Sequence, residues 1–97
     1  MTLQQILAHP QVSIVDVRTE EEFEEEHVPG ALNMPLHRIP YLEAELQALS
    51  RPIVFYCRSG NRSGQAVVWL RRQGFDNIYN GGGLEDMALL TQTQHSA

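Results

Sequence analysis

The chain has 97 residues, 42% of them hydrophobic, and a formal net charge of −5. That length suits one domain, residues 1–97, with a core that stands without staples, and the acidic balance argues against nonspecific nucleic-acid binding through the bulk surface. A single cysteine excludes an internal disulfide and a cysteine-built metal site, and no apolar run approaches the length of a membrane span.

Thr2 to Ala8 reads as a short helix, with Thr2 as cap and Leu3, Ile6 and Leu7 on one face. Pro10 ends it. Val12 to Val17 is a strand, apolar apart from Ser13 and Asp16, a composition that suits burial on both sheet faces. Asp16 and Arg18 fall at its carboxyl end, where parallel sheets bind ligands. They are read either as a structural ion pair or cap or as a brace for a site, two compatible roles. Thr19 to Glu26 is a helix opened by a Thr19–Glu22 capping box and anchored by Phe23. Its cluster of Glu20, Glu21, Glu22, Glu24, Glu25 and Glu26 reads as a solvated face, with docking of a basic partner as the minor alternative. His27 is expected to be a buried structural histidine bonded to backbone.

Ala31 to Met34 is a short strand stopped by Pro35, and His37 lies in a connecting loop. Tyr41 to Leu49 is an amphipathic helix with Leu42, Leu46 and Leu49 on one face. Pro52 to Tyr56 is the central strand, and Arg62 to Gln73 the helix behind it, with Ala66, Val67 and Leu70 toward the sheet and Trp69 partly exposed. Arg71 and Arg72 suit the negative end of that helix. Gly74 caps it, and Phe75 packs back. Asn77 to Asn80 is the last strand, Gly81-Gly82-Gly83 a tight turn, and Leu84 to Thr91 a final helix with a frayed tail to Ala97. Strands alternating with helices predict an α/β fold, a mostly parallel sheet covered on both sides.

The stretch that carries chemistry is Cys57-Arg58-Ser59-Gly60-Asn61-Arg62-Ser63. The cysteine sits where a strand gives way to a short loop that opens a helix. Backbone N–H groups of such a loop and of the first helical turn converge on one spot. A thiolate there gains from those donors and from the positive helix end, so its pKa should fall. Arg58 and Arg62 add fixed positive charge. A lone cysteine is more often a small buried hydrophobe. The strand–loop–helix setting, the two arginines and the small polar residues tip this one toward a reactive thiolate that meets an anion.

Cys57 to Ser63 resembles the active-site loop of the rhodanese (sulfurtransferase) domains. Asp16-Val17-Arg18, Glu22-Phe23, His27-Val28-Pro29-Gly30-Ala31 and Asn33-Met34-Pro35 match the family's other signature in order and spacing, and Gly81-Gly82 matches its C-terminal glycine pair. The resemblance runs from about residue 12 to about residue 90. It implies a three-layer α/β/α fold with a four- or five-stranded sheet in the order 3-2-4-5-1, strand 1 being short or missing because almost nothing precedes Thr2. It also implies that Asp16 or Arg18 supports the cysteine loop. Two departures are visible. Glu26 stands where the family commonly has glycine, and so must be strained or leave its helix by another exit. Leu84 stands where many members have tryptophan.

The chemistry this implies is sulfur transfer without a cofactor or metal. Cys57 attacks a small anionic donor such as thiosulfate and becomes a persulfide. An external thiol, cyanide or a protein then removes the sulfur. Loop amides from Arg58 to Ser63 would cradle the sulfur, Arg58 and Arg62 would bind the sulfonate end, and Ser59 and Ser63 would add hydroxyls or serve as caps. One alternative is a persulfide carrier or binding module without significant turnover. A second is cysteine-phosphatase or arsenate-reductase chemistry, which places five residues between cysteine and arginine where this chain has four. No internal thiol can resolve the persulfide, so the acceptor is external. A monomer in a reducing cytoplasm, without membrane or nucleic-acid partners, completes the expectation; residues 1–15 lack a signal-peptide pattern.

Overall fold

The computed structural model describes residues 1–95. In chain order it contains α1 (Leu3–Leu7), β1 (Ser13–Asp16), α2 (Glu20–Glu25), β2 (Leu32–Asn33), a 3-10 helix (Leu36–Tyr41), α3 (Glu43–Ala48), β3 (Ile53–Cys57), α4 (Asn61–Arg72), β4 (Ile78–Gly83) and α5 (Leu84–His95). The four strands form one sheet in the order β2-β1-β3-β4, and every pairing is parallel. The expected α/β class and central strand are present. The N-terminal edge strand is absent among the described residues, so the order is the five-stranded one without that strand.

β3 is buried at all five positions, which is why it reads as an unbroken apolar run. Successive side chains point to opposite faces. Ile53, Phe55 and Cys57 enter one core with Ala66, Val67 and Leu70 of α4, while Val54 and Tyr56 enter the other with Ile6, Leu7 and Met87 from α1 and α5. Full burial of such a side chain is worth about 1.5–3 kcal/mol. The two cores clamp β3, and the loop after Cys57 hangs from a rigid rod.

Both Thr-initiated helices start on complete capping boxes, Thr2 with Gln5 and Thr19 with Glu22. Glu26 leaves α2 with φ −166° and ψ 136°. That is extended backbone, so the missing glycine causes no strain. His27 stacks on Phe23 with ring centroids 3.7 Å apart, and its Nδ1–H donates to the Phe23 carbonyl at 2.7 Å. It is bonded to backbone as expected, but exposed rather than buried. His37 lies not in a loop but in the 3-10 helix that follows Pro35. Pro40 inside that segment lacks an N–H, which a short 3-10 stretch tolerates better than an α-helix. The helix expected from Tyr41 therefore begins at Glu43.

The glycine run is the main correction. Gly81, Gly82 and Gly83 do not turn; they continue β4, pairing Tyr56 with Gly82 and Cys57 with Gly83 after a register shift. A Cβ on Gly83 would collide with the Arg58 carbonyl oxygen. Gly83 is there because the cysteine loop lies directly on the strand, whereas a Cβ on Gly81 would meet the Met87 and Val54 side chains and Gly82 takes a left-handed φ of +87°. α5 runs to His95, beyond the Thr91 expected, and the last two residues of the expected frayed tail, up to Ala97, lie outside the described residues.

Candidate active site

Cys57 is the last residue of β3 and 1% exposed. The chain then turns through Arg58 and Ser59 to Gly60, whose φ of +94° is a left-handed conformation that favours glycine. Gly60 is the N-cap of α4 and accepts its first helical bond from Gly64 N–H at 3.0 Å. This turn folds the amides inward. Gly60 N–H donates to Cys57 Sγ at 3.0 Å, Ser63 N–H at 3.5 Å, and the Ser63 hydroxyl lies 3.5 Å from the sulfur. Burial pushes the Cys57 thiol up. Hydrogen bonds with the Ser63 hydroxyl and the amides of Ser63, Ser59 and Gly60 outweigh it, and the net shift is downward.

The two arginines are not free. Arg62 donates from both terminal nitrogens to the two oxygens of Glu22, at 2.8 and 3.1 Å, across 40 residues of sequence. Arg58 Nε lies 3.7 Å from the same carboxylate. The hydrogen bonds and charge of Arg62, with hydrogen bonds from the Thr19 backbone and hydroxyl, hold the Glu22 carboxyl at about 2 despite some burial. Glu22 thus has two roles: it closes the capping box of α2 and it holds the arginines at the mouth of the loop. Ser59 and Asn61 are exposed beside them.

Asp16 and Arg18 sit 0% and 1% exposed at the end of β1. Arg18 Nε reaches both Asp16 oxygens at 3.1 Å, and its Nη2 donates to Asp16 at 2.8 Å and to the Glu26 carbonyl at 2.6 Å. The Arg18 guanidinium lies 5.8 Å from the centre of the Tyr56 ring. Tyr56 in turn accepts from Val28 N–H at 3.0 Å. None of these bonds runs to residues 57–63. The pair ties the end of β1 to the exit of α2; it makes no hydrogen bond to the cysteine loop, and its neighbours toward the loop are Tyr56 and, through charge, Glu22 and Arg62.

Asn80 was not singled out by sequence reading. Its Oδ1 accepts from the Ser63 hydroxyl at 2.7 Å and from Gly82 N–H at 2.9 Å, and its Nδ2 donates to the Gly60 carbonyl at 3.0 Å. One side chain therefore ties β4 to both ends of the amide cradle. The signal available was an amide residue one place before a glycine run. A groove of about 680 Å³ is lined by Leu36, Pro40, Gly60, Asn61 and Trp69, and Cys57 is not among its lining residues. Among the described residues, no three His, Cys, Asp or Glu side chains come together in a way that could hold a metal ion. No helix among them is long and apolar enough to cross a membrane.

Residues 2–88 match the rhodanese-like domain family. Among curated proteins, the chain is 36% identical over 76 residues to the thiosulfate sulfurtransferase PspE of Escherichia coli, covering 77% of this chain and 73% of that one. It is 42% identical over 69 residues to a sulfurtransferase of Allochromatium vinosum, covering 71% of this chain but only 64% of the relative's length. A solved rhodanese with anions from E. coli superposes with a TM-score of 0.71 at 36% identity, covering 77% of this chain and 89% of that chain. The human single-domain sulfurtransferase TSTD1 superposes with a TM-score of 0.66 at 29% identity, covering 84% and 83%. With its cysteine loop, parallel sheet and matched span, the chain belongs to the rhodanese-like domain family.

Proposed function

We propose that the protein is a sulfurtransferase that carries a sulfane sulfur on Cys57. The observation that carries this reading is the sulfur's own surroundings: a buried Sγ facing the amides of Gly60 and Ser63 at 3.0 and 3.5 Å, at the start of a helix. Such a cradle stabilises an anionic sulfur and, one bond further out, the terminal sulfur of a persulfide. The names of the relatives point the same way.

The reaction balances without a cofactor. The Cys57 thiolate attacks the outer sulfur of thiosulfate. A sulfur–sulfur bond forms to Cys57, the old sulfur–sulfur bond breaks, and sulfite leaves with the electron pair. A second nucleophile (cyanide, an external thiol or a protein cysteine) then attacks the terminal sulfur. It carries that sulfur away and regenerates the thiolate. Arg58 and Arg62 receive the sulfonate end, for which a guanidinium fork is suited. Ser59 and Asn61 line the approach. Asp16 and Arg18 hold the end of β1, which pairs through Asp16 with Tyr56 of β3, the strand from which the site is hung. Four residues between Cys57 and Arg62 make a cradle matched to one sulfur atom rather than to a phosphate ester. A reducing cytoplasm suits a protein that works through a free thiolate, and a monomer suffices because one chain supplies every group named.

The test is thiocyanate formation from thiosulfate and cyanide. Wild type should turn over, and Cys57→Ser should fall to background while keeping its fold. Equal rates for the two would remove Cys57 from the reaction.

A further inference from the structure

The arginines at the mouth of the loop face a competitor that belongs to the chain itself. Glu22 occupies both terminal nitrogens of Arg62 and stands 3.7 Å from Arg58. The side chains of Glu22 and Arg62 are 23% and 34% exposed, so the pair sits at the rim, open to an incoming ligand. A sulfonate that takes the fork of Arg62 must displace this carboxylate or share its charge. Glu22 also cuts the net charge of the three side chains from +2 to +1. We propose that Glu22 is a specificity-determining residue, an internal anion that sets the affinity of the loop for small dianionic donors and so disfavours them against donors of lower charge, such as thiol persulfides.

This rests on the sulfur-transfer reading for its donors, but the anion competition itself does not. The sign follows from electrostatics: removing a negative charge that touches the binding cations strengthens anion binding. The substitution that tests it is Glu22→Gln, because glutamine can still close the capping box with Thr19 while the charge and the second acceptor oxygen facing Arg62 are lost. Glu24→Gln is the control. Glu24 lies on the same helix, is exposed, and makes no bond to Arg58 or Arg62. Glu22→Asp retains the charge on a shorter arm and is expected to fall between wild type and Glu22→Gln.

The experiment has two arms. In the first, sulfite binding is measured by calorimetry on Cys57→Ser, which cannot react, with and without Glu22→Gln. The Kd is expected to fall by roughly threefold to tenfold, with little change for Glu24→Gln. In the second, the reactive chain is compared for thiosulfate and for a monoanionic thiol persulfide. Glu22→Gln should lower the KM for thiosulfate, leave kcat alone and barely move the persulfide KM. Unchanged or weaker sulfite binding in folded Glu22→Gln, or no sulfite binding in either background, overturns the proposal. So does an equal effect from Glu24→Gln. Tighter sulfite binding with no sulfur transfer in any variant keeps the anion competition and removes the sulfur-transfer reading instead.

Discussion

Two arginine–carboxylate pairs flank the first strand–helix connection, and they differ in what surrounds them. Asp16–Arg18 is sealed, at 0% and 1% exposure, with Asp16 Oδ1 also accepting from the Arg18 backbone N–H and Arg18 Nη2 also donating to the Glu26 carbonyl. Glu22–Arg62 is at the rim, a quarter to a third exposed. The same two functional groups are structural in one setting and exchangeable in the other. Burial removes water as a competitor, so the sealed pair cannot be broken without leaving a charge stranded. At the rim, water and other anions compete, and the pair holds only as long as nothing better arrives.

The largest expected effect comes from breaking the sealed pair. Arg18→Ala strands Asp16 and frees the Glu26 carbonyl, and should cost about 3–5 kcal/mol. That is a large share of a typical domain's stability, and it would show as a much lower midpoint in urea unfolding. A loss below about 1 kcal/mol would mean the pair is not sealed in solution. Asn80→Ala comes next. It removes three hydrogen bonds that tie Ser63, Gly60 and Gly82 together, and should cost about 1–3 kcal/mol. Thiocyanate formation should fall as well, because the cradle loses its tie to β4, whereas Asn77→Ala, just before β4 at the end away from the cysteine loop, should leave the rate alone.

The smallest effect sharpens the rim pair. Glu22 is held at about 2 against an ordinary value of 4.5. A carboxylate with a depressed folded pKa stabilises the fold above its unfolded value and loses that contribution as the pH falls through the folded one. The stability difference between wild type and Glu22→Gln should therefore be constant above pH 4.5 and shrink as the pH falls toward 2. A difference that does not change across that window would mean the Glu22–Arg62 bond contributes nothing in solution.

Sequence reading reached the cysteine loop because its parts are contiguous. Cys57, Gly60 and Ser63 lie within one turn of chain, and strand-to-helix loops converge their amides by geometry alone. It did not reach Glu22 as a partner of Arg62, because 40 residues separate them and because the capping box already explained Glu22. Asn80 was hidden in the same way, 17 and 20 residues from Ser63 and Gly60. The glycine run misled for a different reason. Glycine is the usual signal of a turn, but Gly83 is needed here for close approach to the Arg58 carbonyl, which a strand can supply as well as a turn. Whether an arginine–carboxylate pair is structural or exchangeable depends on burial, and burial belongs to the fold. Asp16–Arg18 could be proposed as an ion pair from residue types and adjacency, but neither its sealing nor the existence of Glu22–Arg62 could be.

The most direct test of the central claim is the intact mass of the protein after thiosulfate, then after cyanide, beside Cys57→Ser treated alike. The account predicts that wild type gains the mass of one sulfur atom, that cyanide removes it, and that the variant gains nothing. A folded wild type that takes up no sulfur from thiosulfate or from a thiol persulfide, or a Cys57→Ser chain that takes up as much, would contradict it.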